Sequence, residues 1–140
     1  MNEEYEEMVR QKTKKEEEKT VYQEEIIGIE GKLQRLDVVK KVIEDRQEEY
    51  RSCALSFMEY PERYLAAEWQ GCVYNQATGK IWGTIQEKLF DTVKKMDTDL
   101  DAVCNKMNEL KNKQENTLLL ISAINKKINE LENDIEKYSD

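Results

Sequence analysis

The sequence predicts an all-α fold, a long antiparallel helical hairpin that resembles a coiled coil and reverses at Trp69-Gln70-Gly71. Charged residues make up 37% of the 140 residues, beside one proline and five glycines, a composition typical of long helices and coiled coils. Apolar residues also recur in alternating steps of three and four on both sides of the middle of the chain. The segment that follows Pro61, the only proline, lies between these two patterns.

The first pattern predicts helix one over about 2–57. Three early positions of this pattern are lysines, Lys12, Lys15 and Lys19, so we expect this part either to fray or to lie against an acidic surface. The seam of helix one, the row of positions expected to face the second helix, consists of Tyr5, Met8, Lys12, Lys15, Lys19, Tyr22, Ile26, Ile29, Leu33, Leu36, Lys40, Ile43, Gln47, Tyr50, Ala54 and Phe57.

Two glycines, Gly28 and Gly31, fall inside the most apolar part of helix one. Each weakens a helix by roughly 1 kcal/mol relative to alanine. They indicate either local softening of the helix or a close approach between two helices.

The connecting segment, about 58–80, differs in character from both helices. Pro61 disfavours helix in the residue before it and suits the first position of a new short helix. Residues 72–79 fit two structures. They form either the first turns of helix two or a loop between two short strands, Cys72–Tyr74 and Lys80–Trp82.

The second pattern predicts helix two over about 80–138, which completes a single helical-hairpin domain over 1–140. Only three seam positions of helix two before the C-terminal tyrosine are polar, and polar residues at such positions cost stability and help to fix register. The seam consists of Trp82, Gln86, Leu89, Val93, Met96, Leu100, Val103, Met107, Leu110, Gln114, Thr117, Ile121, Ile124, Ile128, Leu131, Ile135 and Tyr138.

Charge and hydropathy exclude several classes of partner. The net charge of −8 and the pI of about 4.8 argue against nucleic acid and against an anionic membrane surface, which both require basic patches. The longest apolar run, Leu118–Ile121, is far shorter than the roughly 20 residues of a membrane span. The acidic N-terminus has no apolar core of a signal peptide, so we expect a cytoplasmic protein.

The sequence offers no catalytic, cofactor-binding or metal site. It contains no histidine, and therefore lacks the usual general base and zinc ligand. No phosphate-binding glycine loop occurs. Asp97, Asp99 and Asp101 alternate as in a calcium loop, but the glycine of such a loop is missing and the aspartates follow a helical seam. We therefore expect no enzyme activity.

The three cysteines, Cys53, Cys72 and Cys104, are widely spaced and form no C-x-x-C pair. We expect buried or half-buried free thiols, as in proteins made in a reducing cytoplasm. A bridge between Cys53 and Cys104 across the hairpin is conceivable, but the sequence does not select it.

One arrangement of residues resembles a known family. Pro61 precedes Trp69 and Gly71, and a helix follows with apolar residues at Ile121, Ile124, Ile128, Leu131 and Ile135. The chain looks like the YwqH-like accessory proteins of LXG-domain toxins, which are WxG-type helical hairpins of the type VII (ESX) secretion system. The resemblance covers nearly the whole chain. It implies that the isoleucine and leucine run pairs helices, either within the hairpin or with the partner.

The resemblance also implies how the middle of the chain works. Trp69 would cover the end of the seam, and Gly71 would allow the tight reversal. Tyr64 and Glu68 have the aromatic-x-x-x-acid spacing of the family's export signal, although they precede W-x-G instead of following helix two. A short amphipathic helix that packs Tyr64 is the alternative.

The function that the resemblance implies is non-enzymatic. The chain would pair in the cytoplasm with the helical LXG domain of a cognate toxin, together with a second small WxG-like protein, as a hetero-oligomer. It would then be exported through the type VII system without a cleaved signal peptide. Two alternatives are a prefoldin-like holdase, with the β-hairpin supplied by residues 72–82, and a generic structural coiled-coil adaptor.

Overall fold

The structure, a computed structural model, describes residues 3–60 and 72–139, all of them helical. Helix α1 spans Glu3–Tyr60 and helix α2 spans Cys72–Ser139. Side-chain surroundings are described for 3–56 and 79–138. The predicted fold class is confirmed, because the two helices pair with each other as an antiparallel helical hairpin.

The helices are longer than predicted at the connecting segment. α1 continues past residue 57 and ends at Tyr60, directly before Pro61, whose ring disfavours helix in the preceding residue. α2 begins at Cys72 instead of near 80, so the alternative of two short strands within 72–82 is wrong. A continuous helix satisfies these backbone groups locally, whereas an isolated two-stranded hairpin is marginal in water.

The chain packs as two compact units, each made of one segment from α1 and one from α2. Unit 1 combines Met1–Arg35 with Lys106–Asp140, and unit 2 is Leu36–Asn105. The two segments of unit 1 run in opposite directions. Lys12 Nζ lies 3.4 Å from Glu132 Oε1, and further along α1 the Oε1 atom of Glu25 lies 3.3 Å from Nζ of Lys113.

The predicted seams are the buried rows of both helices. Each seam side chain that the structure describes is buried or half-buried, except that of Tyr138, which is 45% exposed. Steps of three and four keep these positions on one side of a helix, where they face the other helix. The most deeply buried apolar side chains are all seam residues, namely Ile29, Ala54, Val93, Leu110, Ile124, Ile128 and Leu131.

Two of the three early lysines in the seam of α1 lie against acidic groups of the chain itself. Lys12 pairs with Glu132 of α2, and Lys15 pairs with Glu18 at 3.3 Å. Lys19 is half-buried, and α1 remains helical throughout this part. Their aliphatic stems can cover the seam while the ammonium groups stay at the edge. Of the two expectations, the structure shows an acidic contact for Lys12 and Lys15, and it shows no fraying of α1 at these residues.

Glutamine side chains connect the two helices of unit 2. Gln47 is 7% exposed, and its Nε2 donates to the carbonyl oxygen of Val93 at 3.2 Å and to Asp97 Oδ1. Nε2 of Gln86 donates to the carbonyl oxygen of Ala54 at 3.3 Å. Because a buried amide without partners is costly, a shifted register that separated these groups would be destabilised. The glutamines therefore help to select one alignment of α1 on α2.

The glycines of α1 do not mark a close approach of the two helices. A Cβ atom on Gly28 would meet no heavy atom within 4 Å, and one on Gly31 would meet only Arg35 Nη1 at 3.5 Å. The interpretation as a close helix–helix approach within the chain is therefore wrong. What remains is their intrinsic weakening of the helix.

The cysteine predictions hold only in part. Cys104 is half-buried and free, as expected, but Cys53 is exposed and free. Ala54, next to Cys53, contacts Gln86, and Cys104 lies 18 residues further along α2. That separation is about 27 Å along a helix, whereas a disulfide requires Cα atoms within about 7 Å. A Cys53–Cys104 bridge is therefore incompatible with this register.

Replacement of Gln47 by alanine should lower the free energy of unfolding by about 1–3 kcal/mol, because two hydrogen bonds are lost and a void is left in the seam. Urea unfolding followed by circular dichroism measures this change. A double-mutant cycle with Asp97→Ala should give a coupling energy of at least about 0.5 kcal/mol. Asp101→Ala, at an exposed position of α2, is the matched control. Equal coupling in both cycles would contradict the assigned contact.

Replacement of Gly28 by alanine should raise the free energy of unfolding by about 0.5–1 kcal/mol, because alanine restricts the unfolded chain and meets open space in the helix. Gly83→Ala should do the same in α2, where an added Cβ also has no neighbour within 4 Å. Urea denaturation curves check both values. Destabilisation by Gly28→Ala would show that a neighbouring group occupies this space after all.

Candidate interaction surface

The residues of the predicted turn and export signal lie outside the part of the chain that the structure describes. They are Trp69 and Gly71, expected to form the reversal, and Tyr64 and Glu68, expected to carry the signal. Their roles remain predictions from the resemblance.

The isoleucine and leucine run of α2 lies in the seam of unit 1. Ile124, Ile128 and Leu131 are 7%, 8% and 4% exposed, and Ile121 and Ile135 are half-buried. Since α1 supplies the facing segment of this unit, these side chains are covered within the chain. A partner could reach them only if the hairpin opened.

Among the described side chains of α2, the most exposed apolar group is the leucine patch, which consists of Leu118, Leu119 and Leu120. These residues are 50%, 69% and 47% exposed. The seam uses the positions on either side, Thr117 and Ile121, so the three leucines follow the helix around its outer surface. Leu119, the middle residue, is the most exposed and lies furthest from the seam. The leucine patch is therefore available without any opening of the hairpin.

The leucine patch is flanked by lysines in a chain that is acidic as a whole. Lys111 precedes Leu118 by seven residues and Lys126 follows Leu119 by seven, so each shares a face of α2 with its leucine. Both lysines are exposed, and neither forms an ion pair with the described residues. Glu115 is the single carboxylate between them on α2.

Exposed valines form a comparable group on α1 in unit 2, the valine patch of Val38, Val39 and Val42, which are 61%, 44% and 52% exposed. The two lysines beside it are already paired within the helix. Lys40 approaches Glu44 at 3.9 Å, and Lys41 approaches Asp37 at 3.3 Å. The valine patch is thus similarly exposed, but unlike the leucine patch it lies among several carboxylates, those of Asp37, Glu44 and Asp45, besides the basic Arg35 and Arg46.

A groove between the two helices of unit 1 adjoins the leucine patch. Its volume of about 250 Å³ falls below the range of roughly 300–1,000 Å³ that is typical of small-molecule sites. A side chain from a partner helix would fit it better than a cofactor. The groove is lined by Lys15, Glu18, Tyr22, Leu120, Ala123, Ile124 and Lys127.

The terminal turns of α1 and α2 meet in unit 1 through two tyrosines and a glutamate. The rings of Tyr5 and Tyr138 pack edge to face with centroids 6.5 Å apart. The hydroxyl of Tyr138 donates to Glu4 Oε2. This hydrogen bond, followed by partial desolvation and the charges of Glu4 and Asp134, raises the pKa of Tyr138 above its ordinary value of 10.0.

The larger concavity of unit 1, of about 660 Å³, lies at these terminal turns. Glutamates dominate its wall, beside Arg10 and Tyr138. Among the described residues, no group of three or more His, Cys, Asp or Glu could hold a metal ion. Neither α1 nor α2 is apolar enough over a sufficient length to cross a membrane. The acidic wall is therefore interpreted as a solvated charged surface.

Two features of the structure were not identified from the sequence. The polar contact of Gln47 was missed because a glutamine on a seam has no visible partner in a sequence. The leucine patch could have been found, since Leu118–Leu120 fall between two consecutive seam positions. Exposed leucines are unusual at three such positions of a helix whose seam is already complete.

Comparison of the chain with protein-family models, curated proteins and solved structures finds no match.

The hydrogen bond from Tyr138 to Glu4 predicts a measurable change at alkaline pH. Because the folded-state pKa of Tyr138 is raised, the stabilisation is complete below pH 10 and is lost as the pH rises through the folded-state pKa. Glu4→Gln should lower the pKa of Tyr138 towards its ordinary value. Titration of the tyrosine ring by NMR, assigned with Tyr138→Phe, measures the difference. An unchanged pKa in Glu4→Gln would contradict the contact.

Proposed function

We propose that the chain is a non-enzymatic accessory protein of type VII secretion that pairs with the helical LXG domain of a cognate toxin. The observation that carries the proposal is the leucine patch, an exposed apolar surface that remains after the seam has been closed within the chain. Together with the resemblance of the Pro61, Trp69 and Gly71 arrangement to YwqH-like proteins, it favours a helical protein partner.

The physical basis is the burial of apolar surface by a third helix. Each buried Å² contributes roughly 25 cal/mol before the costs of association are subtracted. An amphipathic helix laid along an apolar surface is a common mode of protein recognition. The closed seam supports this mode, because the hairpin is already folded when the partner arrives and only the partner surface has to be buried.

The remaining roles in this proposal belong to the middle of the chain. Trp69 and Gly71 would form the reversal between the helices, and Tyr64 with Glu68 would serve as the export signal. A second small WxG-like protein would complete the hetero-oligomer. The complex would assemble in the cytoplasm and leave through the type VII system without removal of a signal peptide.

The two alternatives differ from this proposal in what they require. A prefoldin-like holdase would need a short β-hairpin within residues 72–82, and these residues are helical. A structural coiled-coil adaptor would associate mainly with copies of itself. No contact among the described residues favours either alternative over the toxin-binding function.

Co-expression with a candidate cognate LXG-domain toxin tests the proposal directly. The two proteins should co-purify as a defined complex in which the toxin's helical N-terminal domain suffices for binding. The intact chain should be used, since truncation after Gln114 would remove most of the α2 side of the seam in unit 1 and expose the α1 side. Self-association of this chain without toxin binding would instead favour the structural adaptor.

A further inference from the structure

We propose that the leucine patch and its flanking lysines form the docking surface for an acidic amphipathic helix of the partner. This inference deepens the proposed function and rests on it, because the helix is taken to belong to the toxin's helical domain. It assigns binding to the outer surface of α2 in unit 1, and it leaves the seam residues Ile121–Ile135 to hold the hairpin together.

The part of this surface that α2 contributes is poor in carboxylates. The chain carries 30 acidic and 22 basic residues, yet 116–129 contains two lysines and no Asp or Glu. Charged groups are depleted in the centres of protein interfaces, where they would have to be desolvated. Leu119, at 69% exposure, lies in the middle of this stretch. Both its composition and its exposure are those of an interface centre.

The charges around the leucines are complementary to those of an acidic helix. Lys111 and Lys126 lie on either side of the leucines and form no ion pair with the described residues. In a chain with a net charge of −8, these two lysines make the surface around Leu118 and Leu119 locally positive. An approaching acidic helix would therefore be steered to this surface. Glu115, between the lysines, should face an uncharged position of the partner.

The distance between the two lysines determines how far apart the acidic groups of the partner helix should lie. Lys111 and Lys126 are 15 residues apart, which corresponds to about 22 Å along a helix. A partner helix that runs along α2 should therefore carry an apolar stripe of about four turns with carboxylates near both ends.

Two double variants test the proposal in the intact chain. Leu118→Gln with Leu119→Gln removes the apolar centre, and Lys111→Glu with Lys126→Glu reverses the flanking charges. Each should weaken binding of the toxin's helical domain by about tenfold or more. The effect of the charge variant should shrink at high salt, because its contribution is screened. Isothermal titration calorimetry at two salt concentrations measures both effects.

Matched controls come from unit 2. Val38→Gln with Val42→Gln removes similarly exposed apolar groups, and Lys94→Glu with Lys95→Glu reverses two exposed charges of α2. Neither control should weaken binding by more than about twofold. Thermal unfolding should be nearly unchanged in all four variants, since the altered side chains are exposed.

The possible results distinguish failure of the proposed docking surface from failure of the proposed function. Tight binding by the wild type with unchanged binding by both leucine-patch variants would overturn the docking surface and leave the proposed function intact. Failure of the wild type to bind would overturn both. Saturable binding to anionic lipid vesicles, or dimerisation abolished by Leu118→Gln with Leu119→Gln, would assign the surface to a membrane or to a second copy instead and would also overturn the proposal.

Discussion

Everything else in this chain depends on the burial of one apolar seam between α1 and α2. Without that seam the two helices would have no core, because the described residues form no third helix or strand that could cover their apolar side chains. Apolar burial at steps of three and four compensates for glycines inside the helices, for lysines at seam positions and for glutamines in the interior. It also determines which residues remain outside, and these are the residues that a partner can reach.

Apolar packing alone would tolerate several alignments of two such helices, so the polar residues of the seam have a separate role. Gln47 reaches both a backbone carbonyl and Asp97 of α2, and Gln86 reaches the backbone of Ala54. In unit 1 the Glu25–Lys113 and Lys12–Glu132 ion pairs favour the same antiparallel direction. Exposed ion pairs contribute little stability, but together with the glutamines they disfavour shifted registers. The alignment then places the leucine patch on the outer surface.

The features that depend on the periodicity of apolar residues could be predicted from the sequence, whereas those that depend on particular contacts could not. The fold class and the seams followed from heptad spacing, because helical geometry fixes which positions face the same way. The start of α2 at Cys72 did not, since 72–79 fit two local structures equally well. The exposure of Cys53 was also missed, because a side chain next to the seam can be either covered by the facing helix or exposed to solvent. For the candidate site, the isoleucine and leucine run from Ile121 to Ile135 lies in the core of unit 1. The exposed apolar side chains are those of the leucine patch directly before it.

The fold requires that the seam be closed within one chain in antiparallel register. The most direct test is the distance between nitroxide labels at Glu25→Cys and Lys113→Cys, measured by double electron–electron resonance in a chain without its native cysteines. We expect a single short distance within the monomer, unchanged on dilution with unlabelled protein. A register shifted by one heptad would displace the labels by about 10 Å. A long or broad distribution, or one lost on dilution, would show that the seam is closed differently or between chains.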